Sequence, residues 1–236
     1  MTDRMSVLAW LARVIADGSG DRPLAQRLCV ACVEILDAHG VAITLASSRP
    51  ERLTVWATDG TSARLEDLQD VLGEGPGQEA FDTNAVVITH IDGETHGRYP
   101  LFTELAGAAA GAATIWALPM RISGGRAVGV VTLYRRGGRL AGTLEDAQLL
   151  ADAVGAVVIN DPDGPVNGQA WSLRARVHQA TGMVVAQLRM HPDDALALLR
   201  AHAFADSSSV DAVAEAVITR ELTFAQAEDS TESGTP

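Results

Sequence analysis

Several groups of side chains in this chain are of types that could do chemistry. Cys29 and Cys32 form a lone C-x-x-C pair inside an apolar helical stretch. Their thiols share one helix face, but no second cysteine pair or histidine pair completes a zinc site. Packing is therefore the expected role, with redox chemistry the other. Gly73, Glu74, Gly75, Pro76 and Gly77 look at first like a phosphate-binding loop. The run follows a helix rather than a strand, and Glu74 puts a negative charge where a phosphate would sit. It reads instead as a tight loop shaping a pocket wall. The histidines at 39, 90, 96, 178, 191 and 202 have no metal-ligand spacing. His90 and Asp92 close a predicted strand. Trp116, Met120, Tyr99 and Phe102 could line an apolar cavity, although each taken alone reads as core. Arg135, Arg136 and Arg139 cluster around Gly137 and Gly138 as a loop end. No nucleophile, base and orienting group recur together, so the expectation is a protein without catalysis.

Composition narrows the chemistry further. All 18 basic residues are Arg, and there is no Lys. A phosphate-loop NTPase, a protein kinase and a pyridoxal enzyme each need a lysine, so all three are excluded. Thirty acidic residues against 18 Arg leave a net charge of −12, and no overall field draws nucleic acid or an acidic membrane. Two cysteines cannot make a disulfide framework. The longest uncharged run, Leu105 to Met120, has 16 residues and is broken by Gly107, Gly111 and Pro119, too short for a membrane span. The first 17 residues carry no signal-type core. The expected location is the cytoplasm, with no membrane contact.

The elements that must hold these groups divide the 236 residues near position 165. Asp161 to Gly168 holds two Pro and two Gly and reads as a linker; the polar stretch Ala225 to Pro236 reads as a disordered tail. Before the linker both periodicities occur. Pro23 to Ala38 has helical spacing and is stopped by Gly40. Val41 to Ala46 and Leu53 to Thr58 read as an antiparallel strand pair. Leu65, Leu68, Gln69 and Leu72 suggest a helix, and Ala85 to His90 a strand. Thr114 to Ile122 and Arg126 to Tyr134 flank Ser123, Gly124 and Gly125 as a hairpin. Leu144 to Ile159 is helical, with Leu149, Ala153, Ala156 and Val157 along one side. This mixture predicts an α+β domain. After the linker all is helical. Leu173, Val177, Ala180, Val184 and Leu188 form one stripe. Pro192 suits a first helical position, and Asp193 and Asp194 suit the positive end of a helix. Ser208 stands three residues before Asp211 as a capping arrangement. Val210, Val213, Ala214, Val217 and Ile218 mark an amphipathic third helix.

The run from Leu65 to Gly77, Ala85 to His90, Ala117 to Ile122 and Val128 to Tyr134, in that order, resembles a GAF domain of the actinobacterial kind. The resemblance covers about residues 5–160. It implies a PAS-like, six-stranded antiparallel sheet whose pocket takes an unidentified small molecule, and His90, Tyr99, Phe102, Trp116 and Met120 are the candidate lining. No other cofactor and no metal is expected. Members of this group often have Cys after the Gly-Glu-Gly-Pro run. Gly77 stands there in this chain, which removes any thiol sensing at that position.

A second resemblance covers residues 171–224. Arg176, Val177, His178, Gln179, Ala180, Thr181, Gly182 and Met183, then Asp194 to Phe204, then Val210 to Ile218, resemble an ANTAR domain. That resemblance implies a three-helix bundle that binds hairpins in nascent RNA and prevents transcription termination. Arg174, Arg176, Gln179, Thr181 and Gly182 on the first helix, with Arg200 and His202 on the second, are its candidate RNA face. Arg would hold phosphates, while Gln179 or His202 would bond or stack on unpaired bases. A glycine inside a helix costs about 1 kcal/mol against alanine, so close approach of another helix or an RNA backbone would explain Gly182. Thr181 stands where the family often has Lys, and Asp206 to Ser209 where bases often precede the third helix. Five Arg and six acids between Trp171 and Phe224 leave a net of −1. RNA affinity depends on neutralised phosphates, so weak binding, or binding by a dimer with pooled arginines, is expected. The reading is thus a homodimeric sensor with an RNA-binding output, acting on a hairpin leader transcript. A non-catalytic dimeric signalling adaptor that binds a protein, its RNA face lost, is the other reading.

Overall fold

The computed structural model describes residues 4–16, 22–48, 51–92, 98–122, 125–161 and 169–224. The linker at 162–168, the tail at 225–236, His96, and Ser123 with Gly124 lie outside them. Contacts divide the chain into two units, Met1–Arg174 and Ala175–Pro236.

The first unit runs α1 (Arg4–Ala16), α2 (Leu24–Leu36), β1 (Gly40–Ser48), β2 (Glu51–Ala57), α3 (Gly60–Leu72), α4 (Pro76–Thr83), β3 (Val87–Ile91), α5 (Pro100–Ala110), β4 (Ala113–Arg121), β5 (Ala127–Arg135) and α6 (Leu144–Ile159). The strands form one sheet in the order β2-β1-β5-β4-β3, and every pairing is antiparallel. Five strands stand among the described residues where the resemblance implied six. Much of the connection from β3 to β4 is taken by α5, an alanine-rich segment opened by Pro100 at its first helical position.

Helices cover both faces of the sheet, which is why the central strands β4 and β5 are buried without alternation. Strand geometry still sorts their side chains. Trp116, Leu118 and Met120 point to the face carrying α2 and α6, in a cluster with Leu28, Cys29, Cys32, Leu150 and Val154. Ile115 points the other way, into a cluster with Leu65 and Leu68 of α3 and Phe102 of α5. Gly155 permits the close approach of α6, because a Cβ there would lie 2.7 Å from the Cβ of Met120. The buried residues of α6 include Ala147, Leu150, Ala151, Val154 and Val158. Leu149, Ala153, Ala156 and Val157, expected along one side, form a half-buried flank instead. The helix is apolar around more of its circumference than one packed face requires.

Cys29 and Cys32 are fully buried. Burial pushes Cys32 up to about 12, and burial and the neighbouring Cys32 raise Cys29 as well. Such thiols hold almost no thiolate at neutral pH, so packing, not redox chemistry, is their role. In the folded protein at pH 8, neither should react with a disulfide reagent over the time in which both react in guanidinium. Rapid labelling of either thiol in the folded protein would contradict this.

The second unit takes α7 (Gln169–Leu188), whose first residues belong to the first unit, α8 (Pro192–Ala205) and α9 (Val210–Ile218). Pro192 is at the expected first position, with Asp193 and Asp194 in the first turn. The cap of α9 is Ser209, whose side chain accepts from the Ala212 N–H at 3.2 Å, and not the expected Ser208. Ala180 and Val184 of α7, Leu196, Leu199 and Ala203 of α8, and Val213, Ala214 and Val217 of α9 are buried.

Candidate functional sites

The five candidate pocket residues of the first unit do not converge. Tyr99 and Phe102 lie edge to face, ring centres 6.4 Å apart, on the α3–α5 side of the sheet. Trp116 and Met120 are buried on the opposite side. His90 is exposed on edge strand β3, its Nδ1 3.0 Å from Thr114 Oγ1. Trp116 and Met120, four apart on β4, share one face, whereas Tyr99 and Phe102 stand at the start of α5, which packs on the other.

The α3–α5 side holds a polar island that sequence reasoning missed. Glu66 and Gln69 are buried on α3, and Thr44 is buried on β1. Thr44 Oγ1 donates to Glu66 Oε2 at 2.9 Å, and Gln69 Nε2 donates to Glu66 Oε1 at 3.0 Å. Gln69 Oε1 in turn accepts from the Gly77 N–H at 2.6 Å. Thr132 is on β5, beside Ala42 of β1 and Ala117 of β4. It is buried with no partner for its hydroxyl. Buried polar atoms are nearly always paired, so this is where a bound molecule could bond. The available signal was Thr44 and Thr132 at inward positions of otherwise apolar strands.

The Gly73–Gly77 loop is now accounted for. Gly73 ends α3 in the left-handed conformation, at φ 67°, and donates to Gln69 O at 3.0 Å. Gly75 at φ 144° precedes α4, and Pro76 starts it. The glycines turn one helix into the next around Gln69 and leave no cradle for a phosphate.

In the second unit, Ala175, Gln179, Gly182 and Ala186 are all exposed on α7, and Arg189 is exposed just past its end, at φ 52°. The steps of 4, 3 and 4 place the four helical residues along one face. A Cβ added at Gly182 would meet nothing within 4 Å, so no helix among the described residues explains that glycine. Arg176 flanks this stripe. It is about half exposed, and its Nη1 lies 2.7 Å from Glu215 Oε2 of α9. Asp211 is also near: desolvation raises its carboxyl above the ordinary range, while Arg176 pulls it down. Thr181 is half-buried and its hydroxyl donates to Val177 O at 2.7 Å, within its own helix. Arg200 and His202 are half-buried on α8. His202 Nε2 is 3.1 Å from Asp206 Oδ2, and its ring meets Phe224 edge to face at 5.7 Å. The side chain of Arg174 lies outside the described residues. The structure thus brings Arg176, Gln179 and Gly182 to one exposed helix surface and turns Thr181 away from it.

Residues 22–160 match the family model of the GAF domain, over more than half of the chain. The chain belongs to the GAF family. Its helical C-terminal region matches the ANTAR domain over residues 169–218, so a GAF domain is followed by an ANTAR domain. Both are regulatory rather than catalytic families, and their pairing supports a signal-responsive, RNA-binding regulator. No curated protein matches the chain. Among solved structures, a domain of a two-component sensor histidine kinase protein from Sinorhizobium meliloti 1021 is 15% identical. The match covers 60% of this chain and 92% of that one, at a TM-score of 0.44. The nlh2 GAF domain of A. aeolicus in an inactive state is 14% identical, covering 64% and 90%, at 0.44. The chromophore-binding domain of Stigmatella aurantiaca bacteriophytochrome is 12% identical, covering 67% and 61%, at 0.42. No described helix is long and apolar enough to cross a membrane, and no described cluster of His, Cys, Asp or Glu could hold a metal ion.

Proposed function

We propose that this protein controls transcription termination in the cytoplasm by binding a hairpin leader RNA in response to a signal received by its GAF domain. The sensor half spans residues 5–160 and the output half 171–224, joined through 161–170. One observation carries the reading: Gly182 stands in an exposed stripe of α7 with Gln179 on it and Arg176 beside it. A phosphodiester backbone can approach a helix closely where a glycine leaves no side chain, and Arg offers five donors in a planar fork to a phosphate. Arg176 and Arg200 hold phosphates, and Gln179 reads a base edge. His202 and Thr181, engaged with their own neighbours, support the helices behind. The input ligand is a small molecule taken on the α3–α5 side of the sheet, where Thr132 offers its hydroxyl between Ala42 and Ala117. The half-buried apolar flank of α6 supports a homodimer, whose formation would cover it.

The ion pair of Arg176 with Glu215 sets the expected energetics. An exposed pair of this kind contributes little to stability, yet Glu215 competes with any phosphate for Arg176. Dissociation constants for a two-hairpin RNA should be measured from about 50 to 200 mM salt. Arg176→Ala should weaken binding and lower the salt slope by about one unit. Glu215→Gln should tighten binding by releasing Arg176. Asp206→Arg should do the same by adding charge to a module whose net is −1. That acidic balance favours the second reading, a dimeric adaptor for a protein partner. No RNA binding by the wild-type chain, and none gained with Asp206→Arg, would decide for the adaptor.

A further inference from the structure

On the α2–α6 side of the GAF sheet, away from the polar island, lies an open cleft of about 570 Å³. That volume suits a small organic molecule, which typically occupies ~300–1,000 Å³. Glu145, Gln148, Leu149 and Asp152 of α6 line it, with Arg121 of β4 and the apolar side chains of Val86 and Leu144. The α6 residues stand at i, i+3, i+4 and i+7, one helix face.

Gln148 is the unusual member. It is only 8% exposed. Its Nε2 donates to Pro119 O and to Asp152 Oδ1, each at 2.7 Å. Those two acceptors fix the amide orientation, since the reversed amide would set oxygen against oxygen. Its Oε1 is left buried without a partner, an arrangement that carries a desolvation penalty until a donor arrives. Arg121 cannot be that donor as placed. Its Nε and Nη2 bond both oxygens of Asp152, at 3.2 and 3.1 Å, and its backbone N–H bonds Oδ1 at 3.0 Å. The charges around the cleft are Glu145, Asp146 and Asp152 against Arg121. The Thr143 backbone and side chain hold Asp146 below the usual carboxylate range, so it stays ionised. After Arg121 and Asp152 neutralise each other, a net negative charge remains, which opposes phosphates and carboxylates and favours cations.

We propose that this cleft is a binding site for a small organic ammonium compound with an apolar body. The ammonium donates to Gln148 Oε1 and is drawn by Glu145, and the body lies against Val86, Leu144 and Leu149. The site is separate from the RNA-binding reading and does not depend on it.

The test is calorimetric titration of the full chain with 2-phenylethylamine, and with 3-phenylpropionate as the anion of matched shape. The amine should bind saturably, and the acid at least about tenfold more weakly. Gln148→Met, which keeps the volume and removes the acceptor, should weaken amine binding. Glu145→Gln should do so as well, and because Glu145 is exposed the substitution should leave the fold intact, which a thermal melt checks. Saturable binding lost in both variants supports the site. Equal binding of amine and acid, no saturation by the amine, or amine binding unchanged by Glu145→Gln in a folded protein would overturn it.

Discussion

Val217→Asp should unfold the ANTAR module and leave the GAF module standing. Val217 is fully buried on α9, with Val213 and Ala214 buried beside it. A carboxylate there would be taken wholly out of water. Burying an unpaired ionised group costs several kcal/mol at least, and neutralising it by proton uptake also costs free energy at pH 7. A whole domain has only about 5–15 kcal/mol in hand, and a small module stands at the low end. The nine residues of α9 cannot persist as an isolated helix either, because isolated helices below about 12 residues are marginal in water. Contacts divide the chain after Arg174, so the damage should stop there. Calorimetry of the wild type should show two transitions, and the variant should keep the GAF transition and lose the other. A variant that kept both unmoved would mean that Val217 is not in a packed core.

What could be read from the sequence, and what could not, follows from how locally each feature is determined. Helix α6 was expected over Leu144–Ile159 and has those bounds. Its start is encoded within four residues, where Thr143 and Asp146 cap each other in a reciprocal box. The β4–β5 pairing was legible because two apolar runs flank a glycine turn. Helix α5 was not. It lies partly in the uncharged run Leu105 to Met120, where apolar periodicity has no polar positions to mark a phase. The boundary there is Gly111 at φ 69°, which ends the helix before β4 begins. The pocket lining expected from the sequence did not converge for a different reason. Composition identified Tyr99, Phe102, Trp116 and Met120 as large apolar side chains, but the sheet runs between the two pairs, and helices on both faces erased the alternation that would have told them apart. On α7, Gln179 and Gly182 were candidates through the resemblance to ANTAR domains, and their spacing of three puts them on one face. The loss of Arg176 to Glu215 depends on how α9 packs, which spacing within α7 cannot reveal.

Gly182→Ala should separate stability from RNA binding in opposite directions. In the interior of α7 a glycine is less favourable than alanine by about 1 kcal/mol, largely because the unfolded chain has more freedom to lose. The added methyl would meet nothing within 4 Å, so no clash offsets the gain. The ANTAR transition should therefore rise by about 4–8 °C, the shift such a change gives a domain of this size. Binding should respond in the other sense. If a phosphodiester backbone lies against the stripe of Ala175, Gln179, Gly182 and Ala186, a Cβ at position 182 pushes it outward and lengthens the bonds made by Arg176 and Gln179. Affinity for a two-hairpin RNA should fall by at least about tenfold, or 1.4 kcal/mol, and Gly182→Leu should abolish it while the module stays folded. A stabilised protein that binds less well cannot be explained by damage to the fold, so the pair of measurements isolates contact with the ligand. Unchanged affinity in Gly182→Ala, together with a loss in Arg176→Ala, would place the RNA on a face of α7 that excludes the glycine. Unchanged affinity in both would remove α7 from the interface.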